Sequence, residues 1–361
     1  MQKLRRLDAT VHIFYEVTGT AGAFTTALAL IPALGNNMAI IVSPFCFAGA
    51  AIIWSFVSTA EHPTTQPKAR TALSPSYFDL LYQSTSLFFM SIYTGGRILI
   101  TSRKFIWLLP SYSLALYGHR FLENNIAPIV AQRYMGNSAW AQLMVGGSNF
   151  GELLGALFVF LFTNFVTTPM PWLRLDACGL LIVWYLAFWY PSVNNVREAW
   201  VVAATFMPMS FGWAAGDISL SAYVQALLHQ QEHERKDVSA LVTVMAFLYS
   251  TYIVTYSIAS PILGSYVDGV SARNNGNVHS AIFHVGGIQF SVISGMVMLA
   301  TFVPRGAFRL NPKILEGEDL EGYRERDMEE RPPPREEAMR GTTESMKGLK
   351  VGDDDWFLDL D

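Results

Sequence analysis

The chain has 361 residues, of which 51% are hydrophobic and only 15% charged, and its mean hydropathy is positive. That balance excludes an ordinary soluble protein of this length. Residues 305 to 361 hold ten of the 25 basic and sixteen of the 29 acidic residues, so charge is segregated into loops and a tail. Neither part carries the basic excess of a nucleic-acid binder. The two cysteines, Cys46 and Cys178, each sit inside an apolar block and support neither a disulfide framework nor a zinc pattern.

A helix needs roughly 20 apolar residues to cross a hydrocarbon core of ~30 Å. Blocks of that length run from about 9 to 34, 37 to 57, 106 to 130, 140 to 163, 170 to 190, 199 to 228, 241 to 266 and 279 to 304. The expectation is therefore an all-α polytopic membrane bundle of about eight spans. Turn chemistry separates the blocks, as in Gly35-Asn36-Asn37, Gly136-Asn137-Ser138, Asn194-Asn195 and Asn274-Asn275-Gly276-Asn277. The first block follows the short basic Lys3, Arg5, Arg6 and reads as an anchor rather than a cleaved signal.

Basic residues set the expected orientation, because cytoplasmic loops hold the excess. With the N-terminus in the cytosol, the inside segments carry Lys3, Arg5, Arg6, Lys68, Arg70, Arg97, Arg103, Lys104, Arg235, Lys236, Arg305, Arg309 and Lys313. The outside loops carry only Arg133, Arg197 and Arg273. Eight crossings return the tail to the cytosol, so both termini are expected to be cytoplasmic. Plasma and vacuolar membranes are not distinguished.

Four regions follow: two spans in residues 1–57, a cytoplasmic central segment in 58–105, six spans in 106–304 and an acidic tail in 305–361. The stretch from Tyr77 to Ile100 is apolar but broken by Asp79, Gln83, Ser84, Ser86, Gly95, Gly96 and Arg97, which predicts an interfacial amphipathic helix, with a ninth span as the alternative. The tail, with Pro332-Pro333-Pro334 and the charged run from Glu325 to Arg331, lacks apolar periodicity and is expected to be disordered.

Charged residues inside a span are costly and are the first functional candidates. Arg120 and Glu123 fall near the middle of the third span, three apart and on one helix face. Glu152 is central in the fourth span and Asp217 lies past the middle of the sixth. Glu16 and Asp176 stand about two turns into the first and fifth. The competing reading is an interhelical ion pair that only holds the bundle together, for example Arg120 with Glu152 or Asp217, and Glu123 also reads as an end-of-helix residue before Pro128. Gly147, Gly151 and Gly155 are four apart and form a ridge of small residues for close helix packing. Asn149 and Glu152 project beside it. Pro110, Pro128, Pro208 and Pro261 add kinks, and such broken helices with mid-span charges suit a moving carrier.

His229 and His233, flanked by Glu232 and Glu234, form the one metal-like pattern. A single histidine box is too little for a membrane di-iron site, so neither a metal nor a cofactor is expected. No phosphate loop, nucleophile elbow or kinase set is present, and an enzyme is not expected.

The segments Tyr117-Gly118-His119-Arg120-Phe121-Leu122-Glu123-Asn124-Asn125 and Gly147-Ser148-Asn149-Phe150-Gly151-Glu152-Leu153-Leu154-Gly155 resemble the seventh and eighth helices of fungal-type members of the major facilitator superfamily. The order of features over residues 9 to 304 resembles that family read from its fifth helix to its twelfth, without the first four helices. The resemblance implies secondary transport of a small solute by alternating access, and the mid-span carboxylates Glu152 and Asp217 add the expectation of proton coupling. It also implies that Arg120, Asn149 and Glu152 line a central cavity, with Asp217 facing or flanking it. A facilitator cavity lies between two six-helix halves, so self-association or pairing with another half is expected, alongside solute and lipid as partners and no nucleic acid. The rival expectations are a membrane scaffold or receptor that recruits partners through its acidic tail, or a fragment of a longer carrier.

Overall fold

A computed structural model describes residues 2–56, 77–101, 105–162, 165–166, 168–229, 240–304 and 307. The expected tail, the polar part of the central segment and the partners of the histidine pattern at 232–234 lie outside the described residues. Those residues are helices and connecting turns, with no strand among them. Six helices are long and apolar enough to cross a membrane, and the chain is a helical membrane bundle.

In chain order the helices are α1 (Arg5–Leu34) and α2 (Asn36–Ser55), α3 (Tyr77–Thr101) and α4, which covers residues 109–134. Then come α5 (Trp140–Leu161), α6 (Met170–Phe188), α7 (Val196–His229), α8 (Leu241–Arg273) and α9 (His279–Ala300). The two expected spans outside the six, α4 and α7, are helical as well.

Helix α4 alternates α-helical and wider π-helical turns at Leu109–Leu114, Leu122–Ile126 and Val130–Tyr134. Proline explains part of this. Pro128 has no N–H, so the carbonyl one turn earlier, at Asn124, loses its ordinary donor and the turn opens. The helix nevertheless continues to Tyr134, so Glu123 is a mid-helix residue rather than a terminal one. Helix α3 is continuous over 25 residues, and Gly95, Gly96 and Leu99 near its end are buried. A β-carbon at Gly95 would stand 2.0 Å from the Thr243 carbonyl oxygen of α8, so only bare backbone fits that contact.

The tightest seam joins α5 to α7. β-Carbons added at Gly147, Gly151 and Gly155 would lie 2.2, 2.3 and 2.4 Å from the carbonyl oxygens of Ala203, Met207 and Phe211. Both series advance by four residues, so a bare ridge on α5 runs along one turn-by-turn row of α7 carbonyls. On the other flank of α5, the Phe24 ring of α1 covers Gly146. Farther along, Ala9 of α1 joins Ala156, Val159, Trp172, Ala215 and Ile218 in one buried cluster. Helix α1 therefore runs antiparallel to α5 and closes one side of the core.

Loops gather at the ends. Asn36 donates to Ser138 at 2.9 Å, the Asn194 amide to the Met135 carbonyl at 3.0 Å, and His279 is stacked between Tyr134 and Tyr190 with centroids 4.3 and 4.0 Å away. Four interhelical turns thus share one end of the bundle. At the other end, Arg5 donates to the Val166 carbonyl at 2.8 Å, and Arg174 reaches Thr301 Oγ1 at 3.1 Å and the Ala307 carbonyl.

Candidate functional site

Four helices bring polar side chains together at mid-length. Arg120 of α4 donates to Glu123 Oε2 at 2.8 Å. Glu123 Oε1 accepts from Ser148 of α5 at 2.7 Å, and the Ser148 hydroxyl also meets that of Ser210 on α7 at 2.7 Å. The carboxyl groups of Glu16 on α1 and Glu152 on α5 interact directly with each other. Asn149 packs its amide on Gly19 of α1, where a β-carbon would be 3.0 Å from Nδ2. Glu16, Glu123 and Glu152 are buried, whereas the Arg120 side chain is 36% exposed. Arg120 is thus the least buried of the four charged side chains.

Local sequence explains the convergence. Glu123 lies in the π-helical turn Leu122–Ile126, and a wide turn re-aims its side chains relative to a regular helix. Ser148 and Glu152 each follow a ridge glycine by one residue and Asn149 follows Gly147 by two, so the approach that the glycines allow brings them between α1, α4 and α7. Glu16 is three residues before Gly19, on the α1 face turned to α5.

A second polar centre lies deeper among α4, α6 and α7. His119 Nε2 and Asp176 Oδ1 are 2.7 Å apart with side chains 1% and 0% exposed. The imidazole stacks on Trp213, centroids 5.3 Å apart and 30° between planes. A β-carbon at Gly212 would be 2.7 Å from the Asp176 backbone nitrogen, so the absence of a side chain there lets α6 close over the pair. In so desolvated a setting, leaving either partner without the other is costly.

A third group joins α1 to α7. His12 Nε2 is 4.0 Å from Asp8 Oδ1 and 3.8 Å from Asp217 Oδ2. Tyr112 of α4, fully buried, lies between the rings of Trp213 and Tyr249 at 5.4 and 5.8 Å and next to the Asp217 carboxyl.

Of the residues singled out from sequence, Arg120, Glu123, Asn149 and Glu152 meet in one cluster, while Asp217 belongs to the neighbouring His12 group. Arg120 takes its own-helix partner Glu123 and forms no ion pair with Glu152 or Asp217, because three-residue spacing is satisfied without any interhelical fit. Sequence reasoning missed Ser148, Ser210, His12 and the His119–Asp176 pairing. Ser148 stands in the glycine-rich motif and His119 beside Arg120, but neither residue type is unusual enough in a span to be picked out singly. Among the described residues, no group of three or more His, Cys, Asp or Glu is arranged to hold a metal ion.

What these features define is a helical membrane bundle with a buried polar cluster built by several helices. Comparison with protein families, with curated proteins and with solved structures finds no match to the chain.

Proposed function

We propose that the chain is a secondary transporter of the major facilitator type, carrying a small solute by alternating access. The observation that carries this reading is the cluster of Glu16, Arg120, Glu123 and Glu152 contributed by three helices at mid-span. A charge at the centre of a span costs about 2.5–3.5 kcal/mol even on the most lenient insertion scale. A bundle that only had to be stable would do as well with apolar side chains there. Three carboxyl groups beside a half-buried guanidinium are what a solute pathway needs and what a rigid anchor does not.

In this reading α4 and α7 cross the membrane too, giving about eight crossings with both termini in the cytosol, and the loop end around Asn36, Met135 and His279 faces outward. Proton coupling runs through Glu152 or Asp217, the carboxylates closest to the α1 contacts, and the cavity is completed by a second copy or another half. The test is uptake of a metabolite panel into vesicles holding the purified chain, beside Arg120→Ala and Glu152→Gln. Accumulation of a solute that both substitutions abolish supports the reading. Uptake equal in all three forms, or none from folded protein, overturns it.

A further inference from the structure

The polar cluster carries more acid than base. Glu16, Glu123 and Glu152 are 2%, 4% and 7% exposed, and the single guanidinium among them is committed to Glu123 at 2.8 Å. Glu16 and Glu152 therefore face each other with only His12 and the already bonded Arg120 as nearby bases, and two carboxylates this close in an apolar setting do not both stay ionised. They hold a proton between them or they hold a cation. An anionic solute would add a fourth negative charge to the same space.

An independent feature also points to a ligand there. Thr20, one helical turn beyond Glu16 on the same face of α1, is 9% exposed, and its hydroxyl has no hydrogen-bond partner. A buried hydroxyl left unpaired is costly, and this one sits at the level where the Asn149 amide meets Gly19. Tyrosines stand nearby on α8: Tyr256 is held by Asn125, two residues past Glu123, at 2.9 Å, and its ring lies 6.1 Å from that of Tyr252. Tyrosine faces attract bulky, weakly hydrated cations, and among the described residues no ligand set for a metal ion is present.

Building on the transport reading, we propose that the solute is an organic monocation, an amine or quaternary ammonium compound, which binds between Glu16 and Glu152 in exchange for the proton they share. The exchange is one positive charge for one, so the buried charge stays constant through the cycle. The charged and titratable groups acting on the carboxyl pair are His12 on α1 and Arg120 and Glu123 on α4, with Asp217 of α7 acting through His12.

The experiment uses the full chain in vesicles, with tetraethylammonium, succinate and glucose as probes and an acid interior to drive exchange. Tetraethylammonium accumulates, and dissipating the proton gradient abolishes the accumulation. Losing one charge contact lowers uptake at least about tenfold in Glu152→Gln or Glu16→Gln, while Glu198→Gln at the exposed start of α7 leaves it unchanged. A readout needing no variant is thermal unfolding of the wild-type protein, which tetraethylammonium raises and succinate does not. Tetraethylammonium uptake undiminished in both carboxylate variants overturns the assigned site. Accumulation of succinate or glucose without tetraethylammonium overturns the cation assignment and leaves the transporter reading standing. Failure of every probe both to accumulate and to stabilise the protein overturns the two together.

Discussion

Helices α2 and α5 are similarly apolar and similar in length, yet the bundle treats them in opposite ways. In α2 only Ala39 is buried, and Phe45, Phe47, Ile52, Ile53 and Trp54 all point outward. In α5 half of the residues are buried, from Ala141 to Val159, and its glycines rest on the α7 backbone. Lipid is as apolar as leucine, so hydrophobicity cannot choose which helix goes inside a membrane bundle; close approach and polar contacts choose. The small and polar residues of α5 do that work, and α2, with Gly49 facing open space, has no counterpart.

Three substitutions would break or sharpen the contrast. The largest effect is expected at the buried pair that helps position α4 on α6 and α7. His119→Leu leaves Asp176 buried without its partner, a loss of about 3–5 kcal/mol. The double change His119→Leu with Asp176→Leu should recover much of that, read by thermal unfolding in detergent. Next is Gly151→Leu, which drives a side chain into the Met207 carbonyl. Overpacking of this kind costs about 1–3 kcal/mol, with the upper end expected because a backbone atom cannot swing aside. The smallest is Gly49→Leu on α2, where nothing lies within 4 Å of the added carbon and a change within about 0.5 kcal/mol is expected. Equal losses at Gly151 and Gly49 would remove the distinction between the two helices.

The same contrast explains what could be seen in the sequence. Apolar length marks out helices and some of their ends, because the bilayer imposes it on every span alike. The four-residue spacing of Gly147, Gly151 and Gly155 announces a ridge, but not that its partner is α7, two helices further on. The candidate charges were visible one at a time as Glu16, Arg120, Glu123, Glu152, Asp176 and Asp217. Their grouping was not, because it depends on α1 lying antiparallel along α5 and on the wide turns of α4, which no local pattern encodes. His119 with Asp176 and His12 with Asp217 are pairings between distant positions, so only the packed fold reveals them. The apolar block carries α4 past Pro128 to about 130 but leaves open whether Glu123 ends the helix, because proline marks a break and the neighbouring helices decide that the helix runs on to Tyr134.

The central claim is that α1 brings Glu16 into direct contact with Glu152 of α5. A double-mutant cycle on Glu16→Gln and Glu152→Gln, read by thermal unfolding of the purified chain, tests it most directly. Groups in contact give a coupling of about 0.5–3 kcal/mol, and a value in that range is expected here. Effects of the two substitutions that add to within about 0.3 kcal/mol would place the carboxyl groups apart and contradict the account.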